Sequence, residues 1–368
     1  MTLEIMFVSR SSVLLGSDIQ ETLSNDKTYP GVRKIFELNQ NLSSAMMING
    51  ESYFEGIPFE TLIGEFKNKT NFKKISTVKS IRNKFIKFLS KNTPSSSCDE
   101  YVKSLLPEFR DDLIGDIDDV GFDKAVSMRN RRKIPSFLKK YSNYNEEFFD
   151  IIPSDVDKTK YNIILWEIFA YELQFEGTGV VFAGFDEKNH FASFFEINLF
   201  FNDCGKIVYE DVDSLENIDK PLLKTFAIDE DAYSFITGVH EDFIDFIKEY
   251  ISNKNNKIVG VLKGSLEDIG VGDVEGVVGI VENLIKNAYC EVENEIIKYR
   301  LITIEHTSYS IEDLPIWLIA IFVDLLIYLT GVKQKTSSQQ ESVSMSADIA
   351  LMTKNGGFKF IKDDSRIF

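Results

Sequence analysis

The apolar run LPIWLIAIFVDLLIYLTGV, residues 314–332, is the most restrictive feature of this 368-residue sequence. It is long enough to cross a bilayer, but Asp324 lies near its middle, where insertion of a carboxylate costs about 2.5–3.5 kcal/mol. Ser310 and Asp313 precede the run in a pattern typical of a capping box at a helix N-terminus. We therefore predict a helix that begins near residue 314 and is fully buried in a layered soluble fold.

Strand and helix patterns alternate along the rest of the chain. Short apolar or β-rich runs bounded by polar turns predict strands at 3–8, 13–16, 35–38, 44–49 and 348–353, and a meander at 179–186, 191–201 and 205–212. Three- and four-residue spacing predicts helices at 59–67, 76–91 and 231–250, with further helices, and room for a strand, in 256–308. This order predicts an α+β fold in which sheets are stacked between helical layers.

Composition and charge exclude several classes of function. The formal net charge of −17 opposes general binding to nucleic acid or to an anionic membrane, so we expect neither partner. Three distant cysteines without a CxxC pair, and three scattered histidines, predict no disulfide framework, no metal site and no cofactor. The start of the sequence lacks a secretory signal pattern, which favours a cytoplasmic protein.

Residues 67–91 contain nine lysines and arginines and no acidic residue, in a chain that is otherwise acidic. One interpretation is a solvated helix face. The other is a docking surface for an acidic partner or a neighbouring subunit. No aromatic or glycine-rich recognition motif accompanies the positive charge, so the segment does not predict nucleic-acid binding.

Five motifs occur in an order that resembles a known family. They are SSVLLGSDIQ at 11–20, RKIFEL at 33–38, MMING at 46–50, GVVFAGFD at 179–186 and SADIALMTKNGGF at 346–358. Together they resemble bacterial proteins similar to proteasome β-subunits, within the N-terminal nucleophile (Ntn) hydrolase superfamily. The resemblance covers 2–67, 178–250 and 310–362. It implies a homo-oligomer of single-domain chains, residues 1–368, each a four-layer αββα sandwich of antiparallel sheets with helical insertions at about 93–176 and 251–309.

The resemblance also implies a catalytic site at the start of the chain. In that family the first threonine of the mature chain is followed 16 residues later by an acid and 32 residues later by a lysine. Here those positions are Thr2, Asp18 and Lys34, once Met1 is removed. A threonine hydroxyl needs a base beside it, and a free α-amine can serve where an internal amide cannot. Gly50 stands where the family places the backbone donor to the oxyanion.

Late in the chain the family pattern is only partly present. Glu341 and Ser344 have the three-residue spacing of the acid and serine that support the amine, but they fit only after a shift of one residue. The expected reaction is hydrolysis of amide bonds, in peptides or proteins, by Thr2. The alternative is an inactive subunit that keeps the fold and acts as an assembly or scaffold protein.

Overall fold

The computed structural model describes residues 3–22, 28–227, 230–269, 272–336 and 342–366. These residues form a mixed α/β protein with antiparallel sheets. The strands are β1 (Leu3–Val8), β2 (Ser12–Asp18), β3 (Gln20–Thr22), β4 (Thr28–Pro30), β5 (Ile35–Asn39), β6 (Ser44–Asn49), β7 (Tyr53–Phe54), β8 (Ile57–Pro58), β9 (Thr178–Phe185), β10 (Ala192–Asp203), β11 (Lys206–Leu215), β12 (Leu222–Ala227), β13 (Ala347–Thr353) and β14 (Gly357–Asp363).

The described helices fall into two stretches of the sequence, between β8 and β9 and between β12 and β13. They are α1 (Phe59–Lys69), α2 (Val78–Asn92), α3 (Cys98–Val120), α4 (Phe122–Met128), α5 (Lys158–Leu173), α6 (Glu230–Thr237), α7 (Glu241–Asp268), α8 (Val274–Glu312) and α9 (Ile316–Thr336). Polar side chains begin several of them. In α3, the Ser97 hydroxyl accepts from Glu100 N and the Glu100 carboxylate accepts from Ser97 N, which is a complete capping box.

Two five-stranded antiparallel sheets organise the strands. The first has the order β12-β1-β2-β13-β14 and the second the order β11-β10-β9-β6-β5. Strands distant in sequence are neighbours in both sheets: β13 pairs with β2, and β9 pairs with β6. The two ends of the sequence therefore share one sheet.

Alternate side chains of β1 enter two different apolar clusters, as the period of a strand requires. Met6 and Val8 belong to a cluster that includes Met47 of β6 and Val181 and Ala183 of β9. Residues of the two sheets therefore pack together in this cluster. Leu3, Ile5 and Phe7 instead join residues of α9 on the other side of the first sheet. This sheet is therefore buried on both faces.

The second sheet is also covered on its other side. Phe66 of α1 and Phe85 of α2 pack in a cluster with Phe182 of β9, and the Phe85 and Phe182 rings meet edge to face at 5.8 Å. Such aromatic contacts add about 0.5–1.5 kcal/mol beyond the burial of apolar area. A separate cluster lies in the 98–173 segment, where fully buried Trp166 packs among helices and reaches the sheet through Phe200 and Phe201 of β10.

Three details of the sequence-based interpretation are wrong. The helix predicted at 231–250 is two helices, because Gly238, with φ +71°, ends the first. The region 256–308 contains no strand among its described residues. Ser310 does not cap a helix at 314: it lies inside α8, and its hydroxyl donates to the His306 carbonyl oxygen.

The predicted burial of the 314–332 helix is also corrected. Of the described helices, α9 alone is long and apolar enough to cross a membrane by length and composition, and 39% of its most apolar window is buried. Val323, Leu326 and Ile327 pack on the first sheet, whereas Trp317 and Ile321 are more than half exposed. The helix thus lies on the sheet with one face covered.

Candidate functional site

A buried ion pair joins the two sheets at one end of their strands. Lys34 Nζ lies 2.9 Å from Asp18 Oδ1, and the side chains are 8% and 0% exposed. Asp18 ends β2 of the first sheet, and Lys34 directly precedes β5 of the second. Because the two residues belong to different sheets, it is the packing of the sheets that brings them into contact.

The Asp18 carboxylate also accepts hydrogen bonds from three backbone N–H groups among the described residues. Oδ1 accepts from Leu3 N at 3.1 Å, in addition to Lys34. Oδ2 accepts from Gln20 N at 3.0 Å and from Ser344 N at 3.4 Å. Both carboxylate oxygens are therefore hydrogen-bonded, as a buried polar group requires. The first described residue of the chain is thereby fixed beside the ion pair.

A cleft of about 560 Å³ opens beside this pair. Lys34 and Gly50 both line it, with Phe36, Ile48 and Phe59 as apolar wall. Gly50 directly follows β6 and has φ +90°, a backbone conformation that favours glycine. The volume is within the range of sites for small ligands or single peptide side chains.

Glu4 is a site residue that the spacing argument missed. It is fully buried in β1, and its pKa is raised to about 8, mainly by burial, against the opposing charge of Lys34. A signal for it exists in the sequence: Glu4 is the only charged residue in the strand LEIMFV. A carboxyl group in an otherwise apolar strand is unusual unless it is paired or protonated.

The remaining predicted residues divide into two sets. Ser344 is near the ion pair, but its hydroxyl accepts from Ile19 N and donates to Ser346 O at 2.5 Å. Ser344 is not among the residues that line the cleft. Thr2 and Glu341 lie outside the described residues, so their roles stay predictions.

The basic 67–91 segment lies on α1, α2 and the turn between them. Three of its nine basic side chains are paired: Lys69 with Glu65, Lys79 with Glu216, and Arg82 with Asp211. The other six are exposed lysines, at 67, 73, 74, 84, 87 and 91. An acidic partner for them stays a prediction.

Within the described ranges, no group of three or more histidine, cysteine, aspartate or glutamate side chains is arranged to hold a metal ion. The groups that the structure brings together at the candidate site are Lys34, Asp18, Gly50 and the buried Glu4.

Comparison with known proteins gives little further information. No family model matches the chain, and no curated protein matches it. One similar solved structure is Anbu (ancestral beta-subunit) from Yersinia bercovieri, with 7% identity over 99% of this chain and 88% of that chain, at a TM-score of 0.35. Another is the Anbu (Gly-1) mutant from Hyphomicrobium sp. strain MC1, with 8% identity, the same coverage and the same TM-score.

These findings correct the family identified from sequence motifs. No family model matches the chain, and the solved structures named above are only distantly similar to it, so the motifs do not establish membership among the proteasome β-subunit-like proteins. Identities of 7–8% at a TM-score of 0.35 amount to a distant likeness that carries no argument about function. The physical reason is that short strand-and-turn motifs recur in many antiparallel sheets, so their order alone does not define a family.

Proposed function

We propose that the chain hydrolyses amide bonds with the hydroxyl of Thr2, after the bond between Met1 and Thr2 has been cleaved. The observation that carries the proposal is the buried Asp18–Lys34 pair, because Asp18 Oδ1 also accepts the backbone N–H of Leu3. Thr2 precedes Leu3, and consecutive Cα atoms are about 3.8 Å apart. The proposal therefore requires Thr2 and Lys34 to act together, which the labelling of Lys34→Met tests.

In the proposed reaction, Thr2 Oγ attacks the carbonyl carbon of a peptide bond while the α-amine of Thr2 accepts the hydroxyl proton. That proton passes to the leaving nitrogen as the C–N bond breaks, which leaves an ester on Thr2. Water then attacks the ester and releases the acid. The charge of Lys34 favours the unprotonated amine, and the backbone N–H of Gly50 would donate to the oxyanion.

We also propose the four-layer αββα arrangement of Ntn hydrolases, in one domain with helical insertions at about 93–176 and 251–309. Three apolar clusters support it. One joins α1 and α2 to the second sheet, one lies between the sheets, and one joins the first sheet to α9. In this arrangement the candidate site lies where the two sheets meet, beside a cleft suited to a peptide side chain.

The test combines intact mass with covalent labelling. Protein from the native host should have the mass of a chain that begins at Thr2. A peptide epoxyketone, which forms a ring with both the hydroxyl and the amine of an amino-terminal threonine, should add one equivalent. Thr2→Ala should prevent the adduct, and Lys34→Met should slow its formation at least about 10-fold, because a nearby charge typically shifts a pKa by about one unit or more.

Lys67→Met is the matched control, because Lys67 is exposed and is in no ion pair among the described residues. It should label at the wild-type rate. Retention of Met1 in the native host would contradict the catalytic proposal, as would labelling that persists in Thr2→Ala.

One observation favours the non-catalytic alternative of an assembly or scaffold protein. The Ser344 hydroxyl, expected to support the Thr2 amine, is bonded to Ile19 N and Ser346 O. Removal of Met1 without any adduct would support this alternative. Amide hydrolysis that Thr2→Ala abolishes would exclude it.

A further inference from the structure

Glu4 is buried between the two sheets, at the end of the strands where the candidate site lies. Side chains of β1 alternate in direction, and those of Met6 and Val8 lie in the apolar cluster between the sheets. Glu4 stands two residues before Met6, so its side chain points into the same space. It is 0% exposed, and neither carboxyl oxygen has a hydrogen-bond partner of good geometry among the described residues. The hydrolysis proposed above assigns no role to this carboxyl group.

The Asp18–Lys34 pair borders the same space. Glu4 follows Leu3, whose N–H donates to Asp18 Oδ1 at 3.1 Å. On the facing sheet, β6 packs against β1, and Ile48 N of β6 donates to the Lys34 carbonyl oxygen at 3.1 Å. The charges of Lys34 and Asp18 both act on Glu4. The two carboxyl groups and the ammonium therefore form one buried electrostatic unit.

Other carboxylates already balance the cations around this space. The charged side chains that the surrounding strands bring to it form two groups: Asp18 with Lys34, and Glu196 with Lys224 and Asp213. Lys34 lies 2.9 Å from Asp18, and Lys224 of β12 lies 2.9 Å from Glu196 of β10. The neighbouring strands β6 and β9 contain no charged residue. A negative charge on Glu4 would therefore have no cation of its own.

The neutral form of Glu4 is favoured for this reason. Asp18 accepts from three backbone N–H groups besides Lys34, and Glu4 has no comparable set of donors among the described residues. Burial raises the pKa of Glu4 to about 8, although the charge of Lys34 and the side chain of Asn49 oppose the shift. Above that pH the space gains a negative charge that the described cations do not balance.

We propose that Glu4 is a positioning residue that limits the hydrolysis at alkaline pH by acting through Lys34. This inference rests on the proposed reaction of Thr2. While Glu4 is neutral, Lys34 favours the unprotonated amine and the negative charge that develops on the reacting oxygens. Ionised Glu4 offsets the charge of Lys34, so both effects weaken. The reaction should therefore be fastest below about pH 8 and slow as Glu4 loses its proton.

The first test is the pH profile of the rate of epoxyketone labelling, from about pH 6 to 10, in the full-length protein. The wild-type rate should fall about 10-fold from its maximum as pH rises through 8, since a nearby charge typically shifts a pKa by about one unit or more. Glu4→Gln keeps a neutral side chain of similar size at every pH, so its rate should reach a plateau and stay there. Glu187→Gln, at an exposed position between β9 and β10, should keep the wild-type profile.

The possible results separate the role of Glu4 from the reaction itself. A wild-type rate that stays on a plateau up to about pH 10, or the same fall in Glu4→Gln, would overturn the role of Glu4 and leave the hydrolysis standing. No adduct in wild type at any pH would contradict the hydrolysis, and this role of Glu4 with it.

A titration that requires no reaction tests the proton on Glu4. In Thr2→Ala protein with carbon-13 at the side-chain carboxyl of its glutamates, one resonance should titrate near pH 8 and be missing from the spectrum of Glu4→Gln. Glu4→Met, which has similar volume and no titrating group, is the second variant for both measurements. A Glu4 resonance that titrates near the ordinary value of 4.5 would mean that Glu4 is ionised at neutral pH, and would overturn the proposal.

Discussion

At the scale of single residues, the candidate site depends on groups that are costly to bury. Asp18 is fully buried and is stabilised by Lys34 and three backbone N–H donors. Glu4 lies in the same sheet without comparable compensation, and burial raises its pKa to about 8. The two carboxyl groups therefore differ in their hydrogen-bonded surroundings, although they lie in neighbouring strands.

The raised pKa of Glu4 predicts a pH dependence of stability. Between about 4.5, the value in the unfolded chain, and about 8, the folded chain holds a proton that the unfolded chain releases. The free energy of unfolding should therefore fall as pH rises through this range, by a few kcal/mol at most. Glu4→Gln should reduce the slope.

Urea unfolding at pH 5, 6.5 and 8 measures this effect. The exposed Glu60→Gln should keep the wild-type slope. An unchanged slope in Glu4→Gln would contradict the assignment of the proton to Glu4.

At the scale of elements, α9 and β2 are in close contact at a glycine. A Cβ added at Gly16 of β2 would lie 2.4 Å from Val323 Cγ1 of α9. The sequence pattern predicted both elements, but it could not predict this approach, because the two are more than 300 residues apart. Glycine at position 16 therefore sets how closely the helix packs on the sheet.

Gly16→Ala should lower the free energy of unfolding by about 1–3 kcal/mol, the usual cost of overpacking. Combining it with Val323→Ala should give a smaller loss than the sum of the two single losses, since the second change removes the clash. Urea unfolding provides the values. Gly64→Ala in α1, where nothing lies within 4 Å of the added Cβ, should be neutral or stabilising by up to about 1 kcal/mol.

At the scale of the whole molecule, the 98–173 segment has an apolar cluster distinct from those of the sheets. Phe200 and Phe201 of β10 connect the cluster of this segment to the second sheet. The second sheet, by contrast, shares clusters with α1, α2 and the first sheet. Because the 98–173 segment shares few apolar contacts with the sheets, we expect it to open locally without unfolding the sheets.

Leu113→Ala, at a fully buried position of α3, should therefore increase amide hydrogen exchange within 98–173 while β1 and β2 keep their protection. The free energy of local unfolding of the segment should fall by about 2–5 kcal/mol. Leu62→Ala in α1 is the matched change in the cluster of the second sheet and should increase exchange in the strands there. Equal loss of protection in β1 after Leu113→Ala would contradict a separate unit.

The sequence by itself predicted the local elements that depend on short-range patterns. The short apolar run LEIMFV and the helical spacing in 76–91 match β1 and α2, because short apolar runs suit buried strands and side-chain period follows from backbone geometry. The amino-terminal spacing also named Asp18 and Lys34. It could not show that the two residues touch, since that depends on the packing of two sheets.

Tertiary structure decided the rest. It brought Lys34 of one sheet to Asp18 of the other, and it buried Glu4 beside them. It also divided α9 into a covered and an open face, where hydropathy predicted full burial. Hydropathy averages over a helix, whereas burial depends on which side meets the sheet, and that is fixed by contacts between residues far apart in the chain.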